Sequence, residues 1–289
     1  MGPPNAAPSF PAAALWLFAL LPSRRLMSAF SLAAMAVCSS SMATASPTAP
    51  ARLYIGYYVE DAANNPEDPT VGGVLLKVPP HGGRFSGLMP FSFIGCEAGM
   101  DIGTVGGTRV GTDLRGEWKG KVDGAAVGGR FGGRYDAGTD RISGDFDNAA
   151  GKTSVDAGDC SYFVAARGSY TLLGSAGNIP SSFTATLSEG ARPRISWPSL
   201  GREVYYRVQV FDENCVLADP ADASCFKGEA LTERKHADFP GDFPLSRPLT
   251  LPGPYLILLT AIDGGTGQMA GFSALRAVLS PNLAQPHPG

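Results

Sequence analysis

The sequence predicts an all-β protein whose N-terminal part is a Gly-rich antiparallel meander or rolled sheet. The stretch 114–147 alternates apolar and polar residues, as a half-buried strand does. The 37 glycines and 24 prolines indicate many turns. No segment repeats its apolar residues at helical spacing. These observations together favour short antiparallel strands over helices.

The stretch 114–147 divides into three strands separated by turns. Asp123-Gly124 and the segment 136–140 carry residues that favour turns. Along each strand, every second residue is apolar or glycine and the residues between them are mostly charged or glycine. We call these two sets the dry phase and the wet phase, because we expect the first to face the core and the second to face solvent. The large residues of the dry phase are Leu114, Trp118, Val122, Val127, Phe131, Tyr135, Ile142 and Phe146.

The dry phase combines aromatic rings with glycines, which normally weaken a strand. A ring that lies over a glycine of the neighbouring strand fills the space, and this small-large pattern suits a strongly curved sheet. The alternative is that Trp118, Phe131 and Tyr135 are exposed and stack on a sugar. That alternative predicts a carbohydrate-binding module.

The N-terminal β domain is predicted over residues 52–173. The Gly/Thr-rich stretch 100–112 has no assignable pattern, and residues 162–173 predict a strand pair or one long strand. The clearest strands outside the alternating stretch are Arg52–Glu60, Val71–Val78 and Phe85–Ile94.

A linker and a second β domain follow. Residues 174–180 read GSAGNIP, which is typical of a linker. Strand-like runs then recur over 181–280, interrupted by a long polar stretch, 212–248. The last nine residues, 281–289, form a loose tail.

Several features of the second domain resemble those of fibronectin type III domains. Trp197 precedes Pro198, a strand contains Tyr206-Arg207-Val208, and a Leu-Pro-Gly-Pro run leads into Tyr255. The resemblance covers about Ile179 to Ser280 and implies an immunoglobulin-like β-sandwich with Tyr255 as its corner tyrosine. It implies binding or spacing roles and no particular ligand.

Residues 1–45 are typical of an export signal. Arg24-Arg25 precedes an apolar run, Leu26–Cys38, which is too short to span a bilayer, and Ala43-Thr44-Ala45 fits a cleavage site. A general-secretion signal is favoured over a twin-arginine signal. Lipid anchoring through Cys38 is a minor alternative because Val37 replaces the small residue expected before such a cysteine. We expect a periplasmic or extracellular protein without a transmembrane helix in the mature chain.

Four cysteines remain after the signal, and an even number in an exported chain predicts disulfides. Four cysteines allow three pairings. The two-domain division favours Cys96–Cys160 and Cys215–Cys225. No Cys/His spacing points to a metal site, and clusters such as Asp136, Asp140, Asp145 and Asp147 match no calcium loop.

Charge and motifs narrow the functional classes. Loss of Arg24 and Arg25 changes the net charge from −3 to −5, which argues against nucleic-acid binding. The three histidines, His81, His236 and His287, adjoin no serine motif, and GxSxG is absent. The sequence therefore predicts an exported, non-catalytic binding or spacer protein without a cofactor. It does not identify a partner, for which a protein surface and a glycan surface are the candidates. Alternatives are the carbohydrate-binding module and a secreted hydrolase with an inter-domain site.

Overall fold

The structure is a computed structural model of the 289-residue chain, and the prediction of an all-β protein is confirmed. It describes residues 50–61, 71–91, 101–122, 124–151, 153–157, 160–164, 167–174, 183–188, 193–243, 247, 249, 253–266 and 268–279. The predicted signal over 1–45, most of the linker and the tail over 281–289 lie outside these residues.

The N-terminal part is built from ten strands. The predicted bounds of the first two strands are those observed. The stretch without an assignable pattern is the fourth strand. The predicted final segment, 162–173, is neither a strand pair nor one long strand: it contains the end of one strand and most of another, and these two belong to different sheets. The strands are β1 (Arg52–Glu60), β2 (Val71–Val78), β3 (Gly83–Phe91), β4 (Asp101–Val110), β5 (Asp113–Val122), β6 (Ala125–Asp136), β7 (Arg141–Asp147), β8 (Thr153–Ala157), β9 (Cys160–Val164) and β10 (Arg167–Gly174).

Eight of these strands close into an antiparallel barrel in the order β1-β10-β7-β6-β5-β4-β3-β2. Closure depends on β1, which pairs with β10 along one edge and with β2 along the other. The β8–β9 hairpin is a separate two-stranded sheet inserted between β7 and β10. In a closed barrel every strand has a neighbour on both sides, which reduces the exposed sheet edge that favours aggregation.

Aromatic rings and glycines fill the inside of the barrel. Trp118, Phe131 and Tyr170 are 3%, 1% and 2% exposed, and the Phe131 and Tyr170 rings stack with centroids 4.1 Å apart. Inward glycines let neighbouring backbones approach: a Cβ on Gly144 would lie 2.0 Å from the carbonyl oxygen of Gly132. The barrel is therefore a packed core and not a pore.

One end of the barrel is closed by Arg109, which is 7% exposed. Its guanidinium lies 4.1 Å from the centroid of the Tyr135 ring and donates to the carbonyls of Gly111, Pro79 and Pro80. These contacts satisfy a charge that would otherwise be costly to bury.

The C-terminal part contains two further sheets and one short helix. β11, β12 and β15 form a three-stranded sheet, and β14, β13, β16 and β17 form a four-stranded sheet. The elements are β11 (Thr186–Ser188), β12 (Arg194–Ser196), β13 (Val204–Asp212), α1 (Glu213–Ala218), β14 (Phe226–Thr232), β15 (His236–Asp238), β16 (Gly253–Asp263) and β17 (Met269–Leu279).

The two sheets enclose one hydrophobic core. Ile195 and Ala237 from the smaller sheet pack with Tyr206, Val208 and Tyr255 from the larger one. Tyr255, the residue expected at a sandwich corner, is fully buried. Alternate residues of β13 face this core, and the intervening ones face the barrel.

Within the polar stretch 212–248, the sequence did not predict α1, β14 or β15. The Asp212 carboxylate accepts a hydrogen bond from the backbone N–H of Cys215 and caps α1. A disulfide joins Cys215 to Cys225 in the following 3-10 helix, as predicted. Cys96 lies outside the described residues, so the Cys96–Cys160 pairing stays a prediction.

The barrel packs against the four-stranded sheet through a second apolar core. Leu53, Leu75 and Leu88 on the outside of the barrel contact a group that includes Leu258 and Phe272 of the sheet. The chain from Pro47 onward forms one compact unit. The domain boundaries derived from the sequence remain a prediction. In the described ranges, no helix combines the length and apolarity that crossing a membrane requires.

Candidate binding groove on the barrel

The outer faces of β5, β6, β7 and β10 are exposed and polar, whereas the outer faces of β1, β2 and β3 pack against the sheet. This follows from strand alternation, because residues between the inward aromatic positions point outward. The outward residues include Glu117, Arg130, Arg134, Asp145 and Ser169. They make this face the polar surface of the barrel.

A row of alternating charges crosses this face at right angles to the strands. We call it the charge row; its members, from β5 to the end of β1, are Glu117, Arg130, Asp147, Arg167 and Asp61. Glu117 lies opposite Arg130 in the β5–β6 register, and Asp147 lies opposite Arg167 in the β7–β10 register. Arg167 Nε donates to Asp61 Oδ2 at 2.5 Å. Opposite charges across strands stabilise a sheet modestly.

Asp147 connects this row to the barrel interior. Its backbone carbonyl accepts a hydrogen bond from Trp118 Nε1 at 2.5 Å, inside the barrel. Its carboxylate accepts two hydrogen bonds from Arg130, from Nε and from the backbone N–H, both at 2.7 Å. The Arg130 contacts hold the pKa of the Asp147 carboxyl below its usual range.

Three depressions with shared lining residues adjoin one another on this face, and members of the charge row line two of them. The largest has a volume of about 720 Å³, and it shares Arg130 and Asp147 with its neighbour. That neighbour shares Gly132, Asp145 and Ser169 with the third depression. The groove, as named here, is the union of these three depressions.

Gly132 leaves an open position in the middle of the groove. It lies opposite Arg115 on β5 and opposite Asp145 on β7. A Cβ added there would meet nothing closer than the Leu114 carbonyl oxygen at 3.6 Å, so packing does not require glycine. The inward Gly144 differs, because any side chain there would collide with backbone. Gly132 therefore shapes the surface and not the core.

The charged residues of the groove balance one another. Lys119, Arg130, Arg134 and Arg167 are offset by Glu117, Asp61, Asp145 and Asp147. No histidine or cysteine is among the described lining residues. The groove offers hydrogen-bond donors and acceptors in alternation, which suits recognition of a polar surface.

The structure places the predicted stacking residues inside the barrel, and Trp118 borders the groove only as a buried ring. Trp118 and Phe131 belong to the barrel core, and Tyr135 packs against it half-buried. The Tyr135 hydroxyl donates to Asp140 Oδ1 at 3.1 Å. Sugar stacking needs an open ring face, which Trp118 and Phe131 do not offer in this position.

The other sequence candidates lie apart. Cys215, Cys225 and Asp222 place their ligand atoms within 4.8 Å of one another, but the disulfide occupies both sulfurs. Asp136 accepts hydrogen bonds from its own turn, from Gly138 N and Thr139 Oγ1. Asp140 instead accepts from Tyr54 and Tyr135. His81 and His236 are in different parts of the fold, and His287 lies outside the described residues.

The alternation over 114–147 predicts that Glu117, Arg130 and Asp147 lie on a wet face, but it does not predict the groove. The sequence feature that could have indicated the groove is the set of charged residues that alternates with the apolar ones. Its meaning depends on which strands are neighbours and in which register, and the pairing of β7 with β10 spans the inserted β8–β9 hairpin.

Comparison of the chain with protein-family models, with curated proteins and with solved structures finds no match.

Proposed function

We propose that this is an exported, non-catalytic protein of the bacterial envelope or extracellular space that binds a protein partner through the groove. The observation that carries the proposal is the charge row, which lines two adjoining depressions on the exposed polar face of the barrel. The Cys215–Cys225 disulfide supports an oxidising compartment.

A protein partner fits the groove better than a glycan or a nucleic acid. The rings that border it, Trp118, Phe146 and Tyr170, are 3%, 4% and 2% exposed, so they provide no stacking platform. Its positive and negative groups are equal in number, which gives a polyanion no net attraction. Alternating charges do suit a complementary protein surface, where they set register and exclude wrong partners.

In this proposal, the C-terminal part is a fibronectin type III-like sandwich, and the barrel packs against it. Two sheets around one core, with Trp197 and Tyr255 buried in it, support that assignment. Such a sandwich would act as a spacer that holds the barrel and leaves the groove free.

The binding part of the proposal is tested with the mature chain, Ser46–Gly289, as bait for envelope and culture-supernatant proteins of the organism that makes it. The informative variant is the double swap Arg130→Asp with Asp147→Arg, which retains opposite charges at the pair but inverts its polarity. The matched control is Arg194→Asp with Asp238→Arg, a second exposed pair on β12 and β15, away from the groove.

We expect a discrete partner that the wild type and the control variant retain and the groove variant loses. Equal retention by all three proteins would contradict a role for the groove. Hydrolysis of a glycan, ester or peptide panel by the mature chain, abolished by one substitution, would contradict the non-catalytic assignment.

Export is tested separately on the full-length chain. Cell fractionation and mass spectrometry should find the protein outside the cytoplasm with Ser46 as its first residue. A cytoplasmic protein that retains residues 1–45 would contradict export.

A further inference from the structure

The barrel has a seam between β2 and β3 where the two strands are only partly paired. The register joins Leu75 to Leu88, Leu76 to Gly87 and Lys77 to Ser86. Among the residues that the structure describes, the first half of β2, residues 71–74, is paired with β1 but not with β3, and the end of β3 is paired with β4 alone. Buried backbone groups along such an edge need other partners.

Three polar side chains of the four-stranded sheet lie at this seam. Arg207 and Gln209 come from β13 and Glu229 from β14, and they are 1%, 0% and 3% exposed. Burying this set is costly unless each member is hydrogen-bonded or paired. Their position on the face of β13 turned towards the barrel explains why they are not solvated.

Hydrogen bonds join these side chains to backbone groups of β2 and β3 at the seam. They replace the bonds that a neighbouring strand would make. Arg207 Nη1 donates to the Val71 carbonyl at 2.7 Å, and the Gly73 N–H donates to Gln209 Oε1 at 2.7 Å. On the other side of the seam, Gln209 Nε2 lies 3.5 Å from the Pro90 carbonyl. One donor and one acceptor of β2, two residues apart, are thus satisfied as a neighbouring strand would satisfy them.

Glu229, on the neighbouring strand β14, contacts both Gln209 and Arg207 and holds their side chains in place. It accepts a hydrogen bond from Gln209 Nε2 at 2.6 Å and lies 3.4 Å from Arg207 Nε. Gly73 permits the close approach, because a Cβ there would lie 2.5 Å from Leu258 Cδ1 and 2.6 Å from Gln209 Oε1. The seam and the sheet are therefore shaped to each other.

We propose that Arg207, Gln209 and Glu229 complete the barrel, acting as a surrogate strand that closes the β2–β3 seam. The barrel then depends on the four-stranded sheet for its closure, and the seam is the place where it opens first. This inference is independent of what the groove binds.

The test is hydrogen–deuterium exchange of the mature chain, comparing amides of residues 71–74 with those of β5. Gln209→Met keeps the volume and removes the hydrogen bonds. We expect it to speed exchange at residues 71–74 about tenfold, the effect of losing a hydrogen bond of ordinary strength, with β5 unchanged. The control is Thr260→Val, a buried change on the same sheet face that removes a hydroxyl without a hydrogen-bond partner in the described structure.

Unchanged exchange at residues 71–74 in Gln209→Met, or an equal rise in β5, would overturn the proposal. If Gln209→Met does not fold, Gln209→Asn and Gly73→Ala are compared in its place, since they disturb the same contact from the sheet and from the barrel. Local acceleration at residues 71–74 in both supports the seam, and a uniform change in both overturns it.

Discussion

At the scale of single residues, the curvature of the barrel depends on inward glycines. Gly144→Ala should destabilise the protein by about 2 kcal/mol or more, because the new Cβ would lie 2.0 Å from the Gly132 carbonyl oxygen and 2.4 Å from the Gly133 Cα. Chemical denaturation of the mature chain measures the loss as a fall in the free energy of unfolding.

Gly132→Ala is the matched control, one strand away and facing outward. With its nearest neighbour at 3.6 Å, this alanine should change the free energy of unfolding by no more than about 0.5 kcal/mol. Equal losses for the two variants would contradict the assignment of inward and outward glycines.

Asp147 should give the stability a measurable dependence on acid. The Arg130 contacts lower the pKa of its carboxyl in the folded state. Its contribution is therefore fully present above the ordinary carboxyl value of about 3.9 and is lost as the pH falls through the lower folded-state value. We expect Asp147→Asn to lower the melting temperature at neutral pH.

The difference between wild type and Asp147→Asn should shrink as the pH falls below 4 and vanish in strong acid, as thermal melts across this range would show. A difference that stays constant at all pH values would mean that the carboxylate charge contributes nothing. Charge reversal at Asp145, which makes none of these Arg130 contacts, gives the comparison for general charge effects.

At the scale of elements, the Cys215–Cys225 disulfide holds α1 against the 3-10 helix that follows it. The sequence separation of 10 residues corresponds to roughly 3 kcal/mol in the chain-entropy treatment of a closed loop. The double variant Cys215→Ser with Cys225→Ser should lose about that much in the free energy of unfolding. Reduction of a Cys96→Ser, Cys160→Ser variant, in which Cys215–Cys225 is the remaining disulfide, should reproduce this loss, and an unchanged midpoint in both cases would refute it.

The sequence predicted elements best where local pattern decides them. β1 and β2 are bounded by turn residues and prolines, and their predicted ends are those observed. β14 reads FKGEALT, and its charged residues within a long polar segment concealed it. Glu229 in that strand is buried because the barrel covers it, which is information that no local window contains.

The groove and the seam could not be predicted for the same reason. The alternation predicts that Arg130 and Asp147 lie on the exposed face of the sheet. Their contact with each other depends on the pairing of β6 with β7, which the alternation does not show. Arg207 and Gln209 alternate with apolar residues, a pattern that indicates solvent exposure. They are buried because a second layer, the barrel, packs on that face.

At the scale of the whole molecule, the barrel and the four-stranded sheet share a core, so we expect them to unfold together. The mature chain has one tryptophan in each part, Trp118 in the barrel and Trp197 in the sandwich core. Trp118→Phe and Trp197→Phe therefore leave one fluorescent reporter each.

In each of these variants, the fluorescence midpoint should coincide with the midpoint of circular dichroism, which reports on all strands. Separate transitions in either variant would show that the two parts unfold independently. They would also contradict the dependence of the barrel on the sheet.

The measurement that tests the central claim most directly is site-specific photocrosslinking in the organism that makes the protein. A photoreactive residue at position 132, in the floor of the groove, is compared with one at position 108, an exposed site on β4. We predict a discrete adduct with one partner protein at 132 and none at 108. No protein adduct at 132, or the same adducts at both positions, would contradict a protein-binding groove on this face of the barrel.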